Sequence, residues 1–344
     1  MLIESFENSD MDNSFIAIAI PTYQRNKQVI ERLYEISNSK YLNLIKVCIY
    51  DNEPNSRLVD LIKHEKLDKV KIIYKKNKCN QGASINLAVA ILEATTNSQY
   101  VWPISDDNEF NNAAIDKVIE MIKLNPESSA FCTSIYVNKA IKTKSLLLFL
   151  KVVEDCKAFL FLGNYIYRSS DIIKFSNYAF EYNSFMCPHI LYSIFFLKSN
   201  LQIKVTPLSI FNYKPLGKDH RQWSYMQGFR RLYEICNISQ LSRKESNEIR
   251  KIFSRGMPKI YGSRSIFCIL TALYSRSIRE VSSDYVFNQL LAASVNARMP
   301  LLFILNYVFF YNPKSTDLLA LILFKFAEIT NQSDKLYRNS KPSI

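Results

Sequence analysis

Apolar runs and helix-spaced apolar residues alternate along the first third of the chain. Ser14–Ile20 (SFIAIAI) is a continuous apolar run closed by Pro21, which predicts a strand buried on both faces. Lys27–Ser37 then sets Val29, Ile30, Leu33 and Ile36 at helical spacing. Leu44–Tyr50 (LIKVCIY) predicts a second strand that stops at Asp51-Asn52, and a helix is expected from Asn55 to His64. Val70–Tyr74 (VKIIY) predicts a third strand, and Ala83–Ala94 a helix after the turn Asn80-Gln81-Gly82. Tyr100–Ile104 is the fourth expected strand, ending at Ser105-Asp106-Asp107, with a helix over Asn112–Leu124 and a returning strand over Phe131–Val137. Strands joined by helical crossovers form a parallel α/β sheet.

Such sheets bind ligands at the carboxyl ends of their strands. That rule selects Pro21–Arg25 (with Thr22 and Tyr23), Asp51-Asn52, the Asn80–Gly82 turn and Asp106–Asn108, where the sequence turns polar. Taken singly, each also suits an ordinary turn or helix lead-in. Asp106-Asp107 is the most informative, because adjacent carboxylates repel unless a cation or strong donors offset them. A hard cation there would typically be shared with substrate phosphates, and a solvated acidic turn is the alternative.

Composition bounds the rest. The 344 residues are 48% hydrophobic and 22% charged, with 6 Gly and 11 Pro, which excludes disordered and collagen-like chains. The seven cysteines (48, 79, 132, 156, 187, 236 and 268) form no C-x-x-C pair, so reduced thiols in a cytoplasmic compartment are expected. The acidic opening MLIESFENSDMDNS has no apolar core of a secretory leader, and the longest apolar stretch, 299–311, is too short to span a bilayer. Charge is uneven. Residues 1–130 hold 15 Lys+Arg against 18 Asp+Glu, a balance of −3. The remaining 29 and 13 give 131–344 a balance of +16, which points to an anionic partner or simply a soluble basic surface.

In combination the motifs are more specific. IPTYQRN (20–26), YDN (50–52), NQGASIN (80–86) and VWPISDDNEF (101–110) together resemble the nucleotide-diphosphosugar core of family-2 glycosyltransferases. The resemblance covers about the first 125 residues and implies a GT-A fold. It implies that Pro21, Thr22, Tyr23 and Arg25 line the nucleotide pocket, that Asp51 accepts a hydrogen bond from the base, and that Asn52 beside it belongs to the donor site. Asn80 and Gly82 would approach the nucleotide sugar and Asn86 would order their loop. Asp106 and Asp107 would hold Mg²⁺ or Mn²⁺ on the donor diphosphate. Asn108 stands where the family's motif usually has its last carboxylate. Bacterial O-antigen and capsule enzymes such as abequosyltransferases have a similar general layout.

The second half extends the resemblance. A GT-A domain is expected over 1–220, with donor half 14–125 and acceptor half 126–220, and a mainly α-helical C-terminal domain over 221–344. Phe159–Arg168 would shape the acceptor site, with Gly163 at a turn. Inverting members usually carry a Glu-Asp pair about 18 residues before a strand-closing Pro; counting back from Pro207 lands on His189, in MCPHILYSIFF. His189 is a candidate base or a positioning residue, with Glu181, Asp155 and Asp171 as rivals. His220, beside Asp219, is a candidate third metal ligand. Residues 221–344 carry 18 Lys+Arg and 8 Asp+Glu interleaved with aromatics, which suits an anionic bilayer surface, a helical core or a homodimer contact.

The resulting expectation is a cytoplasmic, membrane-peripheral inverting glycosyltransferase. It would use a nucleotide-diphosphate sugar and a saccharide acceptor carried on a polyprenyl diphosphate lipid. A nucleotide-sugar-binding protein without catalysis stays open. Nucleic acid is not an expected partner, since no recognised module appears and the first half is acidic.

Overall fold

The computed structural model describes residues 2–7, 13–65, 67, 69–182, 187–212 and 234–260. The chain divides into two units, Met1–Lys214 and Pro215–Ile344.

In the first unit, β1 (Leu2–Glu7), β2 (Ser14–Thr22), β3 (Ile45–Asp51), β4 (Lys71–Asn77) and β5 (Ser98–Pro103) form one half of a sheet. The other half is β7 (Ala130–Thr133), β8 (Ile141–Thr143), β9 (Tyr165–Arg168) and β10 (Ile203–Thr206). The order is β1-β4-β3-β2-β5-β9-β7-β10-β8. β4, β3, β2 and β5 run parallel, as do β7 and β10. β9 lies antiparallel between β5 and β7, and antiparallel β1 and β8 form the two edges. A two-stranded ribbon pairs β6 (Glu109–Phe110) with β11 (Phe211–Asn212).

Helices cover both faces, which is why β3 is buried along its whole length. On one face, Ile16, Ile18, Ile20, Val47 and Ile49 join a core with α1 (Asn26–Ser37), α2 (Leu58–His64) and α4 (Ala114–Lys123). The spacing of Val29, Leu33 and Ile36, and of Ile115, Val118, Ile119 and Ile122, forms the buried stripe on α1 and α4. The opposite face is lined by small residues, Ala17, Ala19 and Cys48, against α3 (Ala83–Glu93) with its own Ala88, Ala90 and Ile91.

After β7 come α5 (Leu146–Val152) and α6 (Cys156–Leu160), capped by Ser145 and Asp155, and then β9. α7 (Ser169–Glu181) and α8 (Pro188–Lys198) pack on each other and on α3. Because β9 runs against its neighbours and β10 runs with β7, this helical pair carries the chain up to the carboxyl edge and back.

The expected strand over 131–137 is only four residues long and turns at Ser134, while β1 and α7 have no counterpart in the sequence-based expectation. β10 ends just before Pro207. In the second unit, α9 (Arg243–Ile260) starts with a reciprocal cap: Ser242 Oγ accepts from Glu245 N (3.3 Å) and Glu245 Oε2 accepts from Ser242 N (2.6 Å). Among the described residues no helix is long and apolar enough to cross a membrane. Residues 299–311 and most of the basic C-terminal stretch lie outside the described residues.

Candidate active site

The carboxyl ends of β2, β3 and β4 lie level, with Thr22 in register with Asp51 and Asp51 with Lys76. Around this edge the polar segments gather into two hydrogen-bonded clusters.

The first cluster joins β2 to β5. Arg25 Nη1 donates to Asp106 Oδ1 at 2.8 Å and to Asp107 Oδ2 at 2.9 Å. Thr22 Oγ1 donates to the other Asp106 oxygen at 2.7 Å, and Ser105 Oγ donates to Asp107 Oδ1. Asp106 is buried, and burial pushes its carboxyl above the ordinary carboxylate range, against the pull of the Arg25 guanidinium and the Thr22 hydroxyl. The turn that aims Arg25 is strained: Gln24 has φ 56°, left-handed for a non-glycine residue, and its amide donates to Glu53 Oε2 at 2.6 Å and to Tyr23 Oη at 3.3 Å. Asn108 closes the turn after Asp107 through its N–H to the Ser105 carbonyl, 3.4 Å.

The second cluster joins β3, β4 and α3. Asn52 Nδ2 donates to Asn80 Oδ1 at 2.6 Å, and Asn80 Oδ1 also accepts from Gly82 N at 2.9 Å. Asn52 Oδ1 accepts from Gln81 N at 3.0 Å. Asn86 Nδ2 donates to the Tyr50 carbonyl at 3.0 Å. Gly82 has φ +82°, so only glycine enters α3 there without strain. Asn80 and Gly82 are exposed above this buried floor.

Asp51 is fully buried, so it does not present the open acceptor for a nucleotide base that the resemblance implied. Its Oδ2 accepts from Tyr74 Oη and its Oδ1 from Glu53 N, each at 3.0 Å, and burial raises its carboxyl above the usual value. Tyr74 and Asn77, which the sequence pattern did not single out, thus join the site. Asn77 ends β4, so the carboxyl-edge rule that selected Asn52 selects it too.

His189 stands apart from both clusters. It is 3% exposed in the first turn of α8, its Nε2 is 3.0 Å from the Leu160 carbonyl, and its ring packs on Tyr165 with centroids 5.6 Å apart. Nδ1 has no partner, and desolvation lowers the imidazole to about 4. A neutral ring shut away from solvent does not present itself to an acceptor hydroxyl, so the role of base suggested by its spacing from Pro207 has no support in its placement. Among the rivals, Asp155 caps α6 through Lys157 N, and buried Asp171 pairs with Lys174 at 3.0 Å. Glu181, the last residue of α7, is exposed.

The Phe159–Arg168 segment is largely core. Phe159 is buried, Trp102 Nε1 donates to the Gly163 carbonyl at 2.8 Å, and a Cβ at Gly163 would meet the Phe211 ring. His220 and Asp219 lie outside the described residues. Among the described residues no group of three or more His, Cys, Asp or Glu converges as a metal site. The two carboxylates of Asp106 and Asp107 nevertheless converge on one cationic nitrogen, that of Arg25.

Residues 17–187 match the family described as glycosyl transferase family 2. In fold, the chain is similar to S. aureus TarS 1-349 in complex with UDP-GlcNAc, with 12% identity, a TM-score of 0.56 and 92% of each chain covered. The UDP complex of the same protein gives 12%, 0.52 and again 92% of each chain. S. aureus TarS itself gives 13% identity and a TM-score of 0.52, over 84% of this chain and 54% of that one. At these identities the likeness shows the fold alone. No curated protein matches the sequence significantly.

Proposed function

Because the chain belongs to glycosyl transferase family 2 through residues 17–187, we propose that it moves a sugar from a nucleotide-diphosphate donor to a saccharide acceptor with inversion. The observation that carries this reading is the Arg25–Asp106–Asp107 cluster beside the Asn52–Asn80–Gly82 turn at the carboxyl edge of the sheet. S. aureus TarS, similar in fold, holds UDP-GlcNAc, which favours the same class of donor.

In this reading Pro21, Thr22, Tyr23 and Arg25 line the nucleotide side of the pocket. Asn80 and Gly82 face the sugar nucleotide, and Asn86 steadies their turn. Asp51, closed in by Tyr74 and the Glu53 N–H, shapes the floor beside the base. Asp106 and Asp107 suit a divalent cation, Mg²⁺ or Mn²⁺, since they already accept one cationic centre between them, with Asn108 beside them in the same turn. The cation would supply charge neutralisation on the departing diphosphate. Arg25, freed from the pair, offers its guanidinium to the same phosphates.

An exposed carboxylate at the end of α7 serves as base better than a buried imidazole, so Glu181 takes the acceptor proton and His189 supports α8 from within. The acceptor is a saccharide on a polyprenyl diphosphate lipid at the cytoplasmic face of a membrane, a reading favoured by the balance of +16 over residues 131–344.

The test is thermal stabilisation by UDP-, GDP-, CDP- and dTDP-sugars with and without Mn²⁺, on wild type and Asp107→Ala. Ligands that bind only the folded chain raise its melting temperature. One metal-dependent response, lost in the variant, is the expected result. No response to any nucleotide sugar in a folded sample refutes the reading.

A further inference from the structure

Asn77 lies where the two halves of the amide cluster meet. It is 5% exposed at the end of β4. Its Nδ2 donates both hydrogens, to Asn52 Oδ1 at 3.1 Å and to Asn86 Oδ1 at 3.0 Å. The orientations of those two partners are dictated by the backbone. Asn52 must turn its oxygen to the Gln81 N–H, which can only donate, and Asn86 must turn its NH₂ to the Tyr50 carbonyl, which can only accept. Both oxygens therefore face position 77, and the residue there must supply two donors.

The same constraint runs outward. Asn52, held by Asn77, turns its own NH₂ to Asn80 Oδ1, which takes the Gly82 N–H. A buried side chain thus sets the exposed turn at Asn80–Gly82 through one intermediary. We propose that Asn77 is a positioning residue for the donor: by orienting Asn52 it holds the Gln81–Gly82 backbone in its donor-accepting form. The proposal rests on the reading that this turn meets the nucleotide sugar.

Asn77→Asp keeps the shape and replaces both donors with acceptors facing two oxygens. The ionised form must then either turn Asn52 over, losing Gln81, or leave buried oxygens opposed. A protonated carboxyl restores one donor, so the defect is relieved by acid. Asn77→Ala removes the donors with no means of restoring them.

The experiment is titration of wild type, Asn77→Asp and Asn77→Ala with the nucleotide sugar that most stabilises wild type, at pH 5.0 and 8.0, with steady-state kinetics alongside. At pH 8.0 both variants are expected to weaken donor affinity about tenfold, raising KM for the donor more than they lower kcat. At pH 5.0 the ratio of wild-type to Asn77→Asp affinity is expected to shrink, while that for Asn77→Ala stays. Melting temperatures without donor identify a variant that fails to fold, and either folded variant then decides the question. Folded variants that bind the donor as tightly as wild type, or an Asn77→Asp defect independent of pH, overturn the relay while leaving the donor site intact. Absence of binding by wild type overturns the donor reading and the relay with it.

Discussion

The Arg25 guanidinium is the centre of the candidate site, and Arg25→Gln isolates what it does. One nitrogen of Arg25 serves two carboxylates, of which Asp106 has a side chain only 5% exposed and Asp107 one 17% exposed. Removing one partner of a buried pair costs about 3–5 kcal/mol because an uncompensated charge is left behind. Asp106 keeps the Thr22 hydroxyl, and its carboxyl is already raised by burial and can take up a proton, so the loss is set at about 3 kcal/mol at pH 8. The sign with pH follows. Without the guanidinium, the folded-state value of Asp106 rises further, and the variant takes up a proton at a pH where wild type does not. The deficit is therefore full above the variant's value and shrinks as pH falls, by about 1.4 kcal/mol for each unit by which the two differ.

Urea unfolding followed by the fluorescence of buried Trp102, at pH 8 and pH 5, measures this deficit. A cation adds a second arm. At a hundredfold excess over its dissociation constant it stabilises by about 2.7 kcal/mol. In wild type the cation must first displace Arg25, so Mn²⁺ is expected to stabilise the variant more than the parent. A deficit below about 0.5 kcal/mol, typical of substitutions away from such features, would refute the assignment. So would a deficit equal at both pH values, or equal stabilisation of both proteins by Mn²⁺.

Three further outcomes follow from particular contacts. In Gly163→Ala the new Cβ would lie 2.6 Å from Phe211 Cζ and closer still to Cε2, and that ring is fixed by Phe110 at 5.1 Å and Trp102 at 6.1 Å. A loss of about 1–3 kcal/mol in urea unfolding is expected, and no loss would mean the ring moves freely. His189 titrates near 4 in the fold against an ordinary 6.5, so the unfolded chain binds more protons between those values and stability rises with pH across that window. His189→Gln should flatten the curve there by ~3 kcal/mol, whereas parallel curves for the two proteins would show an imidazole in contact with water. Glu181→Gln should lower kcat by about 10²–10⁴-fold with donor-induced stabilisation unchanged, and full activity would exclude it as the base.

The sequence was legible where a feature follows from position in a strand, and silent where it follows from distant partners. Ser14–Ile20 and Leu44–Tyr50 were legible because parallel strands buried on both faces need unbroken apolar runs, and the polar residues after them mark the binding edge. β1 and β9 were not legible, because each is defined by a neighbour distant in the chain: β1 pairs with β4, and β9 is inserted against the direction of β5 and β7. Asn77 escaped because the apolar pattern ends the third strand at Tyr74, three residues short of its carboxyl edge, and its bond to Asn52 spans 25 positions. His189 is different, because the sequence did hold the signal. Its spacing from Pro207 suggests a base, but it sits within PHILYSIFFL, where every residue from Pro188 to Leu197 is apolar, aromatic, small or the histidine itself, and all ten are buried. A helix that is apolar all round belongs to the interior. A histidine on its first turn is therefore carried inward with it, and periodicity should outweigh spacing when the two disagree about an ionisable side chain.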